Sequence, residues 1–174
     1  VYSRSLSLLA ESDAIGQGYR WRHQIAAGAL GPQGETEIVA VRTPHIGGVL
    51  EYFRMENGKL KIVAQLGGNF RSHALGSPNL DMSVAGDFDG DGFDDVAVGV
   101  PEWDFSTSEE TGLVWVFYGS ASGLAATGYQ VFFQSALAVD QQSEEDDHFG
   151  DGIAAGDFDN DGYDDLAIGV PGED

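Results

Sequence analysis

The sequence contains no cysteine. That absence excludes a disulfide framework, a thiolate zinc site and a cysteine nucleophile. Basic residues are scarce: 8 Lys and Arg stand against 29 Asp and Glu, a formal net charge of −21. So acidic a chain excludes nucleic acid and anionic membranes as partners, because both are held by basic surfaces. No apolar run approaches the roughly 18 residues needed to cross a bilayer as a helix, so membrane insertion is not expected. The chain opens at Val1 without a basic-then-apolar leader, so no signal peptide is visible. Proline is sparse, and no segment keeps a helical period over a dozen residues. What remains is a chain of 174 residues, 42% hydrophobic, with 25 glycines. Its length suits one ordinary core, and its composition suits many short strands joined by glycine turns.

One stretch occurs twice. Residues 86–101 read GDFDGDGFDDVAVGVP and residues 156–171 read GDFDNDGYDDLAIGVP. The copies lie 70 residues apart. Each holds aspartates at alternate positions (Asp87, Asp89, Asp91; Asp157, Asp159, Asp161), then a glycine, then a closing Asp95 or Asp165. Alternate residues of a tight loop can aim oxygens at one centre. Carboxylates at positions 1, 3, 5 and 9, with the backbone carbonyl of Phe93 or Tyr163 at position 7, make a set of hard oxygen ligands. That set suits calcium rather than a softer metal, and predicts two Ca2+ sites. Four carboxylates so close repel one another unless a cation lies among them. An EF-hand needs glutamate at position 12 and flanking helices. Val98 and Ile168 stand there, and the flanks read as strands.

Strands are expected over Arg20–Ala27, Glu37–Arg42, Met82–Ala85, Asp95–Val100, Leu113–Tyr118, Gln130–Ser135 and Ile153–Ala155. Val49–Leu66 carries Asn57-Gly58 between two alternating runs, the signature of a two-residue type I′ hairpin. Four strands per 70-residue period is the content of one propeller blade. A degenerate third copy begins at Gly28. In that register Glu37 matches Asp95, while Ala29, Gly31 and Gln33 replace the aspartates, so the loop survives without a metal.

Catalytic motifs are missing. No GxSxG, P-loop, HxH or HExxH pattern occurs, and His23, His45, His73 and His148 are scattered as packing or surface histidines. Carboxylates committed to a metal are poor acid–base catalysts, so no catalytic residue is assigned. Trp21 and Trp115 read as packing residues. Trp103, in the polar stretch PEWDFSTSEE, is the better candidate for contact with a ligand.

Phe149-Gly150, followed by GIAAGDFDNDGYDDLAIGVPGED (152–174), resembles an FG-GAP repeat, the blade unit of integrin-alpha-like β-propellers. Residues 83–104 resemble the same unit without its opening FG, and GLVWVFYGSASGL (112–124) resembles the family's next strand and turn. TPHIGGVLEYFRMENGKLKIVAQL (43–66), with GSPNLDMSVAGDFDGDGFDD (76–95), is more similar to the related VCBS repeats. The resemblance implies calcium at Asp87, Asp89, Asp91, Phe93 and Asp95, and at Asp157, Asp159, Asp161, Tyr163 and Asp165. It implies an extracellular, cell-surface or periplasmic setting, a protein or glycan ligand, and adhesion without catalysis. Two alternatives are an accessory propeller domain of a secreted polysaccharide- or lipid-acting enzyme and a structural repeat of a surface filament.

The expected fold is therefore all-β, with propeller blades of four-stranded antiparallel sheets. Residues 20–82 form a blade without metal, 83–148 a calcium-binding blade, and 149–174 the start of another. Residues 1–19 are an N-terminal segment that is a candidate blade-completing strand. A propeller needs about 4–8 blades, so the chain is expected to be part of a larger propeller or to close one by self-association.

Overall fold

The computed structural model describes residues 1–16, 21–44, 48–67, 70, 72, 82–104, 110–124, 127–137 and 142–173. His45, His73 and most of the stretch between Leu66 and Met82 lie outside these residues. The structure is all-β and forms part of a β-propeller. Eleven strands make three sheets among the described residues. The first sheet holds β1 (Glu11–Ser12), β2 (Arg22–Gly28), β3 (Glu37–Arg42), β4 (Val49–Glu56) and β5 (Lys59–Gly67). The second holds β6 (Ser83–Gly86), β7 (Asp95–Val100), β8 (Leu113–Phe117) and β9 (Gln130–Phe132). The third pairs β10 (Gly152–Gly156) with β11 (Asp165–Gly169).

Apart from the two-residue parallel pairing of β1 with β5, neighbouring strands run antiparallel and follow chain order. Asn57 and Gly58 turn β4 into β5 with φ of 52° and 74°. Both angles are positive, as a type I′ turn demands. The N-terminal segment folds back on itself, with Tyr2 bridged to Leu8 and the Val1 ammonium donating to the Ala10 carbonyl at 2.8 Å. It then extends the first sheet, not the last. Strand β9 stops at Phe132 rather than reaching Ser135. There Gln134 turns inward and donates to Glu173, while Ser135 exchanges hydrogen bonds with Ser143. A single 3₁₀ turn at Gln134–Ala136 results.

All three sheets begin with the same hairpin. Gly28 pairs with Glu37, Gly86 with Asp95, and Gly156 with Asp165. Each pair closes an eight-residue loop: 29–36, 87–94 and 157–164. The degenerate copy at Gly28 is thus the same structural unit.

The sheets stack face to face. Ile25, Val39, Val41, Leu50 and Tyr52 of the first pack with Val96, Val98 and Phe117 of the second. The alternate residues Ala97, Val114 and Val116 pack with Phe149 and, less deeply, with Ile153, Leu166 and Ile168. Strands β7 and β8 are apolar on both faces because sheets cover both faces. The initial strands β2, β6 and β10 lie side by side, and Ser83 Oγ donates to the Ile25 carbonyl at 3.0 Å.

A phenylalanine locks each seam. Phe149 is buried, and its amide donates to the Thr111 carbonyl at 3.1 Å, beside Gly112. Phe70 does the equivalent at the first seam: it is buried, and its amide donates to the Gly48 carbonyl at 3.2 Å. Gly48 and Gly112 each precede the third strand of their hairpin set, and a Cβ on either would collide with the phenylalanine's backbone. Phe70 thus takes the place of the phenylalanine that the second unit's sequence lacks.

Removing the Phe149 ring should cost about 3–5 kcal/mol, through lost burial and the cavity left behind. Urea unfolding of Phe149→Ala measures this as a lower midpoint at unchanged slope. A loss below about 1 kcal/mol would contradict the packing described.

Candidate metal centres

Backbone amides shape the two aspartate loops in one pattern. In the second unit Asp87 Oδ1 accepts from Gly90 and Asp91 at 2.8 and 3.1 Å, and its Oδ2 accepts from Gly92 at 3.0 Å. Asp89 Oδ1 accepts from Asp91 at 3.2 Å, and Asp91 Oδ1 from Phe93 at 2.9 Å. In the third unit Asp157 accepts from Asp161 and Gly162 at 3.0 and 3.1 Å. Asp159 accepts from Asp161 at 3.1 Å, and Asp161 from Tyr163 at 2.9 Å. The closing carboxylates reach back across each loop, Asp95 to Phe88 at 2.7 Å and Asp165 to Phe158 at 2.9 Å.

These turns bring ligand oxygens of Asp87, Asp89 and Asp95 within 4.8 Å of one another, and likewise those of Asp157, Asp159 and Asp165. Asp91 and Asp161 are not in these trios; each carboxylate is turned to the amide two residues on. The grouped donors are all carboxylate oxygens, with no imidazole or thiolate in the loop. That donor chemistry fits a hard cation. Asp95 is fully buried and also accepts from the Gly119 amide at 2.7 Å. Burial pushes its carboxyl up to about 6, against the lowering effect of the Gly119 and Phe88 amides. The neighbouring charges of Asp89 and Asp87 push the same way as burial.

The FG-GAP repeat family model matches residues 83–117 and 149–174, the segments that contain both loops. The chain carries FG-GAP repeats. Curated proteins similar to it are integrin alpha chains. Integrin alpha-4 of Xenopus laevis is 34% identical over 123 residues, covering 70% of this chain and 11% of that protein. Integrin alpha-D of Homo sapiens is 30% identical over 149 residues, 80% of this chain and 12% of that protein. Integrin alpha-PS2 of Drosophila melanogaster is 33% identical over 99 residues, 56% of this chain and 7% of that protein. The chain therefore spans only a small part of the relatives it matches.

Set beside the two FG-GAP loops, the first unit shows how a closing carboxylate is neutralised without aspartates around it. Glu37 stands where Asp95 and Asp165 stand, and Arg54 on the paired strand donates to it at 2.5 and 3.0 Å. Arg54 also lies 3.5 Å from Glu35 of that loop. Continuing the β7–β8 register one residue past Val96 and Phe117 puts Tyr118 in the place of Arg54. Burial, then the charges of Asp95 and Asp89, raise the Tyr118 hydroxyl above its ordinary pKa, so it stays neutral. All eight Lys and Arg residues lie at or before Arg71. Among the described residues, no ion pair involves an aspartate of either FG-GAP loop.

One further grouping was not legible in the sequence. Glu110, Asp146 and His148 offer ligand atoms within 4.8 Å of one another, and all three have positive φ. His148 Nε2 lies 3.6 Å from Glu110 Oε2, and the His148 amide donates to the Glu110 carbonyl. Glu110 lies 36 residues before Asp146 and 38 before His148, so no local spacing marks the trio. His23 is buried against Ser72, in keeping with a packing role. Trp115 packs with Phe70, Phe117 and Tyr129, and Trp21 lies against His23. Trp103 uses its backbone to close the turn after β7, accepting from Gly112 and Thr111.

The folded state favours protonated Asp95 relative to the unfolded chain. Its contribution to stability is present in full below the ordinary 3.8 and is lost as pH rises through about 6. With a chelator present, the urea midpoint should fall between pH 4 and 7, and fall less in Asp95→Asn, whose amide does not ionise. Equal pH slopes in the two proteins would contradict this assignment.

Proposed function

We propose that the chain is a calcium-stabilised segment of an integrin-alpha-like propeller, serving as an extracellular, non-catalytic interaction module. The observation that carries this reading is the contrast between loops of one design. The loop without aspartates has its closing carboxylate paired with Arg54 of β4, whereas among the described residues no aspartate of the two aspartate-rich loops takes part in an ion pair. A bound cation supplies the missing positive charge. The all-oxygen donor set suits calcium rather than a softer transition metal.

On this reading Asp87, Asp89, Asp91, Asp95 and the Phe93 carbonyl hold one ion. Asp157, Asp159, Asp161, Asp165 and the Tyr163 carbonyl hold the other. Asp91 and Asp161 complete their sets by a side-chain rotation of the kind an exposed aspartate makes freely. The ion supplies positive charge and crosslinks each loop to the strand that follows it; it performs no chemistry. Residues 20–82, 83–148 and 149–174 act as successive blades, the first without metal. Likeness to integrin alpha chains supports a cell-surface setting and a protein ligand, with the remaining blades supplied by a longer chain.

Calcium should raise the melting temperature, because an ion bound only to the folded state stabilises it by mass action. At a concentration a hundredfold above Kd each site contributes about 2.7 kcal/mol, with Kd on the order of 0.1–1 mM for extracellular modules. Asp87→Ala and Asp157→Ala should each remove one site's share, and the double variant should melt at one temperature with or without calcium. A wild-type melting temperature indifferent to calcium would refute the proposal.

A further inference from the structure

The second and third loops each end in two consecutive aspartates, Asp94-Asp95 and Asp164-Asp165. The second member of each pair closes its own loop. The first member reaches the neighbouring unit instead. Asp164 Oδ2 accepts from the Asp87 amide at 3.2 Å, and the Asp164 amide donates to the Asp87 carbonyl at 3.1 Å. One seam earlier, Asp94 Oδ2 accepts from the Ala29 amide at 2.5 Å. Ala29 and Asp87 are the first residues of their loops. At both seams, then, the eighth residue of one loop holds the first residue of the loop before it.

The glycine preceding each held residue makes room for this contact. A Cβ on Gly86 would lie 2.8 Å from Asp164 Oδ2 and 3.1 Å from its Cβ. One on Gly28 would lie 3.1 Å from the Asp94 Cβ and closer still to its Oδ2. The third unit has no such crowding: among the described residues, the nearest atoms to a Cβ on Gly156 would be those of the Phe158 ring, at 3.4 Å or more. Among the described residues, no carboxylate is bonded to the Asp157 amide. The Tyr163 ring adds a second contact at the later seam, lying against Gly90 of the second loop.

We propose that Asp94 and Asp164 are inter-blade clamps, and that Asp164 positions the ligand Asp87, so that calcium affinity of the second loop depends on the third blade. The second half of this proposal rests on the calcium reading above. Asp87 accepts three amides of its own loop through its carboxylate, while Asp164 grips its backbone at both the N–H and the carbonyl. Without the Asp164 carboxylate the loop keeps its internal turn and the backbone bond to the Asp87 carbonyl but loses the acceptor that fixes the Asp87 N–H. The first ligand then no longer sits at a set distance from Asp95, which is held by the sheet.

Amide NMR of the 174-residue chain tests this in two arms. One follows hydrogen exchange at the Asp87 amide without calcium, and the other follows the calcium dependence of the Gly92 and Gly162 amides. In Asp164→Ala the Asp87 amide should exchange faster by about fivefold or more, and the Gly92 midpoint should rise by a similar factor. Asp164→Asn keeps a side-chain oxygen acceptor and should stay close to wild type in both arms. Gly86→Ala leaves every carboxylate present and should reproduce the Asp164→Ala changes. Wild-type values in Asp164→Ala, or an Asn variant as impaired as the Ala variant, would overturn the clamp. If neither glycine responds to calcium in the wild type, the calcium reading fails, and exchange at Asp87 alone then decides whether the clamp exists.

Discussion

The pairing of a glycine with an acidic residue across an eight-residue loop governs the rest of this structure. It occurs three times, at Gly28 with Glu37, Gly86 with Asp95 and Gly156 with Asp165. Slipping that register by one residue would send every side chain of the strand to the opposite face. Val96 and Val98 would leave the core shared with the first sheet, and Asp95 would leave its loop. One geometric constraint therefore sets both the stacking of the sheets and the position of the closing carboxylate. The candidate metal site and the hydrophobic core are two consequences of the same hairpin.

Charge distributes unevenly over this frame. The first unit has arginines, and it spends them on buried carboxylates. Arg54 meets Glu37, while Arg22 and Arg42 meet Glu51 at 2.6 and 2.7 Å, with Gln65 completing the Glu51 shell. Charges taken so far out of water must be paired, since removing one partner leaves the other uncompensated. Beyond Arg71 no lysine or arginine is available for this. The FG-GAP loops meet part of the need with backbone amides, and the balance points to an ion from solution. On the proposed calcium reading, stability of the later units is tied to the calcium around them, and that of the first unit is not.

Much of this was legible in the sequence because it is local. The aspartates of each loop lie in one contiguous stretch, and their alternation and closing aspartate mark a loop between strands. The apolar runs of β3 and β7 showed their true bounds, since short runs buried on both faces need no alternation. The degenerate copy at Gly28 is legible because Gly28 and Glu37 keep the spacing of Gly86 and Asp95, and its register is identical in the structure. What escaped was contact between units. Phe70 stands 13 residues before β6, whereas Phe149 stands 3 before β10, so their equivalence has no constant spacing. Arg54 acts on Glu37 from a neighbouring strand. Asp94 and Asp164 read as one half of a Asp-Asp pair, although their partners lie 65 and 77 residues away. The end of β9 likewise depends on Ser143 and on Glu173, the latter 39 residues from Gln134.

The central claim is that two loops of one design each hold a calcium ion. Isothermal titration of the chelator-treated chain with calcium tests it most directly, because stoichiometry counts sites without reference to stability. Two ions per chain, falling to one when either loop's first aspartate is replaced by alanine, is the predicted result. Heat of dilution alone, or a stoichiometry that those replacements leave at its wild-type value, would contradict it.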